Sequence, residues 1–521
     1  MGPFKLSDKD MAQIMANGLT ADKIHHQLST IAQGAPYTDL VRPCTVGDGI
    51  RRLSKDQIHQ TLKLYETAAT GKRLIKFVPA SGAATRMFKH LTVAYYQLLS
   101  GAPVLSADDK QIDPEVLDFT NNCHKFAFYE ELKASLYQAG LHCEKLLADR
   151  HFLPILENLI GDKQLDYTAL PKGLIKFHAY GADARTAFEE HLVEGTGYAR
   201  TKAAGCAIHF TVSPQHQKKI VSFLKQSLPV YEDRFKTRFH LSFSTQRNDT
   251  NTIAVDMENR PFRYPDGSLL FRPGGHGALI DNLNELDADI VFIKNIDNVA
   301  HERYLPEIVE WKKILCGLLM EGQQQVFYFL EQFQGDPVSH EPIKKATEFV
   351  QKTLSRELPD TFDAGTLESK RQTLIDLLNR PLRVCGMVPN AGDPGGGPFW
   401  TKEHNGETSL QIVETSQIDT KSPHQRAIAN GATHFNPVDL VCGIRNWRNE
   451  PFDLSRYVDE KAVFIATKTE GGLQIKALEL PGLWNGAMAF WNTVFVEVPP
   501  ITFNPVKEVT DLLRKGHQPT D

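Results

Sequence analysis

The chain has 521 residues, 41% hydrophobic and 23% charged, with a formal net charge of −5. That composition belongs to a soluble globular protein, with room for one large domain carrying insertions or for two or three ordinary domains. The acidic balance argues against a general nucleic-acid binder, and no apolar run approaches the roughly 20 residues of a membrane span.

The start, MGPFKLSDKDMAQ, lacks an apolar signal core, and Pro3 and Leu6 do not suit myristoylation. Seven cysteines, Cys44, Cys123, Cys143, Cys206, Cys316, Cys385 and Cys442, are scattered and form no C-x-x-C pair. Neither a disulfide framework nor a structural zinc site is expected from that spacing. The expected setting is cytoplasmic, with reduced thiols.

Residues 1–70 read as a polar helical region. TADKIHHQLSTIAQ and LSKDQIHQTLKLYETAAT both carry helical spacing, and Ser54 and Asp56 suit a helix start. The apolar run Leu74 to Pro79 reads as a strand, followed by a turn of small residues and a helix that closes at Gly101. Residues of about 105–165 read as a helical insertion, with FAFYEELKASLYQAG its clearest helix.

From residue 171 strands and helices alternate: GLIKFHAY, RTAFEEHLVEGTGYA, CAIHFTVS, HQKKIVSFLKQSL, FHLSFSTQ and ADIVFIKNID. Such repetition predicts a mostly parallel sheet covered by helices. Residues of about 302–380 read as a second helical insertion. Strand patterns then dominate up to 505, and 506–521 is left as a tail. The expected fold is α/β: a three-layer core spanning 71–505, with a mixed, mostly parallel sheet.

Four stretches are candidates for chemistry. In FVPASGAATRM the small residues Ala80, Ser81, Gly82, Ala83 and Ala84 let backbone N–H groups approach a ligand. The helix start beyond them favours phosphate. Thr85 is placed to cap that helix and Arg86 to fork a phosphate oxygen. Taken alone, the stretch reads equally as a close-packed strand-to-helix corner.

Pro273-Gly274-Gly275-His276-Gly277 gives a backbone that can lie flat against a planar ligand. The alternative is a flexible hairpin. ADIVFIKNIDNVA ends a strand in Asn295-Ile296-Asp297-Asn298, where open parallel sheets bind ligands. Asp297 there is placed to hold Mg2+ on a nucleotide phosphate. Its alternative is an Asx turn. Gly395-Gly396-Gly397 reads as a mobile loop, and Glu414 as a strand-end carboxylate able to accept hydrogen bonds from ligand hydroxyls.

H-E-x-x-H, the G-x-S-x-G elbow and the G-x-x-x-x-G-K-[ST] loop are all missing. His178, His191, His209 and His240 lie on or near apolar patterns and read as structural.

These stretches, in this order, resemble the UDP-sugar and UDP-N-acetylhexosamine pyrophosphorylases. That group's G-G-x-G-T-R-[ML] loop corresponds to Ser81-Gly82-Ala83-Ala84-Thr85-Arg86-Met87, and its uracil loop P-x-G-[HN]-G-x-[LIV] to Pro273-Gly274-Gly275-His276-Gly277-Ala278-Leu279. Its strand-end D-N corresponds to Asp297-Asn298, and its V-E-Y-S-E-I to Val413-Glu414-Thr415-Ser416-Gln417-Ile418. Asn436 and Lys476 sit where the group places a sugar-contacting Asn and a phosphate-contacting Lys.

The whole chain, with PGGGPFW and PGLWNGAM, is similar to a bacterial domain family of unknown function grouped with the same glycosyltransferase-A-like fold. Two loop glycines are replaced, by Ser81 and Ala84. The basic residue expected some way after the loop, before or within a P-K pair, is read as absent, with Lys89 nearer.

The resemblance implies a nucleotidyltransferase that joins a sugar 1-phosphate to a nucleoside triphosphate, UTP first, releasing pyrophosphate with Mg2+. Arg86 and Lys89 would steady the β- and γ-phosphates, Asp297 would hold Mg2+, and Lys476 would meet phosphate. Ala80 to Thr85 would cradle the phosphates, Gly275, His276 and Gly277 the base, and Glu414 and Asn436 the sugar. A side chain at Gly277 is then expected to block the base. A glycosyltransferase of the same fold or a non-catalytic nucleotide sensor are the alternatives. The former often shows D-x-D where this chain has Asn295-Ile296-Asp297.

Overall fold

The computed structural model describes residues 4–101, 113–162, 164–201, 205–335, 339–390, 392, 396–403 and 406–520. It is a mixed α/β structure whose main sheet is mostly parallel. The chain divides into two compact units. One comprises residues 1–77, 244–293 and 312–500, and the other 78–243, 294–311 and 501–521.

In the first unit a sheet runs in the order 45–46, 49–51, 492–497, 382–389, 439–443, 290–294, 74–79. Most of its pairs are parallel. Residues 290–293 register with 74–77, and 382–387 with 492–497. The strand Asp439–Gly443 runs antiparallel to Leu382–Pro389. Near-continuous apolar strands of this kind need cover on both faces. Ile290–Lys294 and Asp439–Gly443 are indeed buried at every position.

The core beneath them gathers Phe77, Leu279, Val291, Met387, Leu440, Trp491 and Phe495, together with Leu483 and Trp484. Inside it Lys312 is ion-paired with Asp439, both fully buried, so each charge has the partner that burial demands.

Residues 1–70 are not wholly helical. Ser54 forms a capping box with Gln57 at the head of the helix Lys55–Ala68, and Thr20 caps Ala21–Gln33. Between these helices, however, lie the strands Leu40–Pro43, Thr45–Val46 and Gly49–Arg51. The first pairs with Gly397–Lys402, far along the chain. Short edge strands carry too few residues for a period to show, and it is a distant partner that fixes them. Of the glycine run at 395–397, Gly395 lies outside the described residues, and Gly397 opens a strand rather than a loop.

The second unit holds the strand Gly205–Thr211, antiparallel to Arg200–Thr201, with Phe239–Ser244 also paired to it. Its long helix is Pro214–Phe235. The helices Pro114–Asn121, Tyr129–Gln138, Cys143–Ala148 and Phe152–Ile160 fill the first predicted insertion. An aromatic cluster anchors them. Phe128 lies 6.5 Å from Phe88 and 5.3 Å from Tyr167, centroid to centroid. Phe88 follows the small-residue turn and Tyr167 ends the insertion, so the cluster returns the chain to that turn.

The long helix Leu305–Gln332 meets Lys55–Ala68 at a glycine. A Cβ on Gly317 would stand 2.3 Å from the Thr61 carbonyl oxygen. Gly317→Val should therefore force the two helices apart and destabilise the chain by about 1–3 kcal/mol or more. Chemical denaturation checks this, and a midpoint equal to wild type would refute the close approach.

Candidate functional site

The small-residue turn belongs to the second unit. It follows the strand Leu74–Pro79 and is tied down by backbone hydrogen bonds. The Ala80 N–H donates to Thr211 O at 2.8 Å, Ala84 N–H to Leu170 O at 3.0 Å, and Lys172 N–H to Gly82 O at 3.1 Å. Ala80 and Ala84 are buried, while Ser81, Gly82 and Ala83 face outward. A Cβ on Gly82 would meet open space, and its backbone does not need the left-handed region. Protein packing therefore gives no reason for a glycine at 82.

Thr85 does not cap a helix. Its hydroxyl donates to Thr168 O at 3.2 Å. The helix Lys89–Leu99 begins later, behind Phe88 and with no side-chain cap, because Ala84–Arg86 forms a single tight 3-10 turn first. Arg86 and Lys89 are exposed.

The basic residue read as absent is present. Pro171-Lys172 returns to the turn through the bonds above, and the Lys172 ammonium donates to Asp297 Oδ2 at 2.7 Å. Both side chains are largely buried. Asp297 stands just beyond the strand Ile290–Lys294, where Ile296 N–H donates to Pro79 O and Asp297 O accepts from Val506 N–H. Asn298 is occupied otherwise, since its Oδ1 accepts from Asn504 N–H at 2.8 Å. The corner thus joins a small-residue turn, one lysine and one carboxylate. The signal in the sequence was the P-K pair itself, set off from the turn by the helical insertion.

The glycine-histidine loop belongs to the first unit. Gly275 has φ +79°, which favours glycine. A Cβ there would fall 1.8 Å from Glu479 Oε2, and one on Gly277 would fall 2.1 Å from the Pro481 carbonyl oxygen. The bare faces of these glycines are therefore filled by residues 479–481 of the same unit. A side chain at Gly277 would thus meet the protein's own backbone, whatever the loop binds.

His276 organises the neighbourhood. Its Nδ1 accepts from Leu483 N–H at 3.0 Å, which leaves the proton on Nε2. Nε2 lies 3.5 Å from Glu414 Oε1. The imidazole stacks on Trp484, with centroids 4.2 Å apart and planes 9° from parallel. Arg383, fully buried, donates from Nη1 to Trp484 O at 2.6 Å and from Nε to Thr493 Oγ1 at 2.9 Å. Burial pushes its pKa down. Asn485 donates to Gln417 Oε1 at 3.3 Å.

The structure thus brings Gly275 to Gly277 and Glu414 to Gln417 together, through Leu483, Trp484 and Asn485. The sequence reading gave those last residues no role, although GLWNG, a tryptophan between turn formers, marked the place. Burial raises the pKa of Glu414, but the hydrogen bond and electrostatic attraction of the His276 ring, with the Asn485 amide, outweigh it. The net effect holds Glu414 below the usual carboxylate range.

Asn436 and Lys476 have other partners. Asn436 Nδ2 donates to Gly386 O at 3.0 Å, and its Oδ1 accepts from Val438 N–H at 3.0 Å. Lys476 donates to Met257 O at 3.0 Å and to Asn259 Oδ1. Among the expected structural histidines, His178, His191 and His209 are buried with hydrogen-bond partners, whereas His240 is exposed.

Two comparisons follow. Gly82→Ala should leave thermal stability at or slightly above wild type, whereas Gly277→Ala should cost about 1–3 kcal/mol or more through its clash with Pro481. Differential scanning calorimetry separates them, and equal effects would refute this division.

A carboxylate held below its ordinary range stabilises the fold when ionised. Glu414 should therefore contribute fully at neutral pH and progressively lose that contribution as pH falls through its lowered folded-state value. Glu414→Gln should flatten this part of the acid limb. An unchanged acid limb would remove Glu414 from the His276 network.

Among the described residues no helix is long and apolar enough to cross a membrane. No curated protein matches the chain. Among solved structures it is similar to the uridine diphosphate N-acetylglucosamine pyrophosphorylase of Trypanosoma brucei, at 13% identity and a TM-score of 0.48, covering 98% of this chain and 79% of that one. It is also similar to the UDP-glucose pyrophosphorylase of Leishmania major, at 12% identity and 0.43, covering 98% and 79%. A third is the UDP-glucose phosphorylase of Trypanosoma brucei, at 12% and 0.43, covering 97% and 77%. Residues 7–518 match the family described as domain of unknown function DUF4301, and the chain belongs to that family.

Proposed function

We propose that the chain is a nucleotidyltransferase that joins a sugar 1-phosphate to a nucleoside triphosphate, UTP before others, and releases pyrophosphate. The observation that supports this reading best is the corner of the second unit. There an open glycine turn sits beside a lysine and a carboxylate that neutralise each other. Incoming phosphate would draw the Lys172 ammonium to itself and free Asp297.

In the reaction a phosphate oxygen of the sugar phosphate attacks the α-phosphorus. A new P–O bond forms, and the bond to the β-phosphate oxygen breaks. The nucleophile is already an anion, so no general base is required, and alignment and charge neutralisation carry the rate. Lys172 and Arg86 supply positive charge to the leaving phosphates, with Lys89 behind them.

Mg2+ fits this corner in one way only. Among the described residues no cluster of three or more His, Cys, Asp or Glu is placed to hold a metal ion. A single carboxylate suits an ion that keeps its waters and rides on substrate phosphates. Bound so, Mg2+ would add positive charge across those phosphates. Asp297 would hold it after releasing Lys172.

Glu414 is the acceptor for sugar or ribose hydroxyls. Asn436 and Lys476 would serve the reaction only by exchanging their present partners. The uracil preference rests on the motif resemblance at Pro273 to Leu279. The reading places the activity in the cytoplasm, with a nucleoside triphosphate and a sugar phosphate as partners.

The test is pyrophosphate release from a panel of sugar 1-phosphates crossed with the common nucleoside triphosphates, in the presence of Mg2+. At least one pair should turn over. Lys172→Ala and Asp297→Asn should each lower that turnover by on the order of 100-fold, measured on protein shown by circular dichroism to be folded at the assay temperature. Protein that binds UTP but releases no pyrophosphate with any pair would favour the sensor reading instead. Wild-type turnover in Asp297→Asn at limiting Mg2+ would reduce Asp297 to a turn residue.

A further inference from the structure

The first unit contains an open cavity of about 500 Å3 that shares no lining residue with the turn, loops or cluster described above. Arg380 and Arg456 both line it, with Asn379, Glu403, Tyr457 and Phe490. Arg380 ends the helix Leu367–Leu378 and uses its Nε on a carbonyl of that helix, Asp376 O, at 2.8 Å. Nothing in the cavity wall takes its two Nη groups. The two carboxylates of the cavity wall have other partners. Asp376 Oδ1 accepts from Gln372 at 2.8 Å, and Glu403 pairs at 3.1 Å with Arg356, which is 5% exposed.

Burial first, and then the like charge of Arg356, push the Arg380 pKa down to about 10. Glu403, Glu407 and Tyr457 act in the opposite sense, and the two Nη groups are what the guanidinium offers to an anion. Arg456, in the turn Leu454–Tyr457, is exposed on the same cavity. Two forked donor groups lining one cavity match the oxygens of a phosphate.

The remaining wall selects what the phosphate is attached to. Asn379 Oδ1 is buried and has no hydrogen-bond partner. An orphaned acceptor in a cavity wall calls for a donor such as a hydroxyl. The Asn379 carbonyl oxygen accepts from Tyr457 O–H at 3.4 Å, which fixes the tyrosine ring against this wall. Phe490 adds a second ring. Aromatic faces beside an unfilled acceptor suit a sugar, which offers C–H faces and hydroxyl donors together.

We propose that this cavity is a second ligand site for a phosphorylated sugar, with the phosphate on Arg380 and Arg456 and a ring hydroxyl on Asn379. The site is separate from the proposed reaction and stands whether or not that reaction is confirmed.

Titration calorimetry on the full chain tests it with two probes, inorganic phosphate and glucose 6-phosphate. The latter carries no phosphate at C1 and so cannot act as the nucleophile. Glucose 6-phosphate should bind, and bind more tightly than inorganic phosphate. Arg380→Gln and Arg456→Gln should each weaken it by about tenfold or more, while Lys172→Ala should leave it unchanged. Arg380→Lys, which keeps the charge and loses the fork, should fall between Arg380→Gln and wild type.

Arg456 is exposed, so its variant keeps the test independent of folding, and thermal melting checks both. The proposal is overturned if wild-type chain binds neither probe at millimolar concentration. It is equally overturned if folded Arg456→Gln and Arg380→Gln proteins keep wild-type affinity, or if Lys172→Ala abolishes binding. Equal affinity for the two probes would overturn the sugar half of the assignment.

Discussion

The arrangement of the first unit's loops depends on a single imidazole. His276 accepts a backbone proton from Leu483, points its own proton toward Glu414 and lies flat on Trp484. Three segments distant in sequence are fixed relative to one another by one ring. The geometry also sets its tautomer, because the Leu483 N–H claims Nδ1. Even the glycine at 482 follows from it, since a Cβ there would fall 2.5 Å from His276 Cε1. Behind the tryptophan, Arg383 pins the main chain from the core.

The two motif-bearing regions therefore differ in kind. The loop at 273–277 is closed by its own protein, glycine against carbonyl, and its rigidity comes from packing. The turn at 80–86 is held by backbone hydrogen bonds and the Thr85 hydroxyl, and leaves its glycine uncovered. The first arrangement gives a stiff platform around an ionised Glu414. The second gives exposed backbone beside the Lys172–Asp297 ion pair.

Much of this was legible in the sequence. The alternation after residue 171 predicted the strands and helices that form, and Ser54 marked a helix start because its hydroxyl and the Gln57 side chain satisfy each other's backbone donors. What could not be read was long-range. The strands between residues 40 and 51 are too short to show a period and depend on distant partners. Thr85 looked like a cap because a helix follows, but a 3-10 turn intervenes. Lys172 was passed over because an entire helical insertion separates it from the turn it serves. At Gly277 a sequence shows that a side chain is missing and does not show that the Pro481 carbonyl lies where one would stand.

The insertion has a kinetic meaning as well. The hydrogen bonds joining residues 82–84 to residues 170–172 close a long loop of chain, and the aromatic cluster of Phe88, Phe128 and Tyr167 is the clasp. Each doubling of such a loop adds only about 0.6 kcal/mol of closure entropy, so the detour is thermodynamically cheap. Its effect falls on the order of events. Non-local contacts tend to form after local helices, and the lysine meets the turn across the whole length of the intervening helices. The contact between the turn and Lys172 is consequently expected to form late in folding and to be among the first surrendered when the helical insertion loosens.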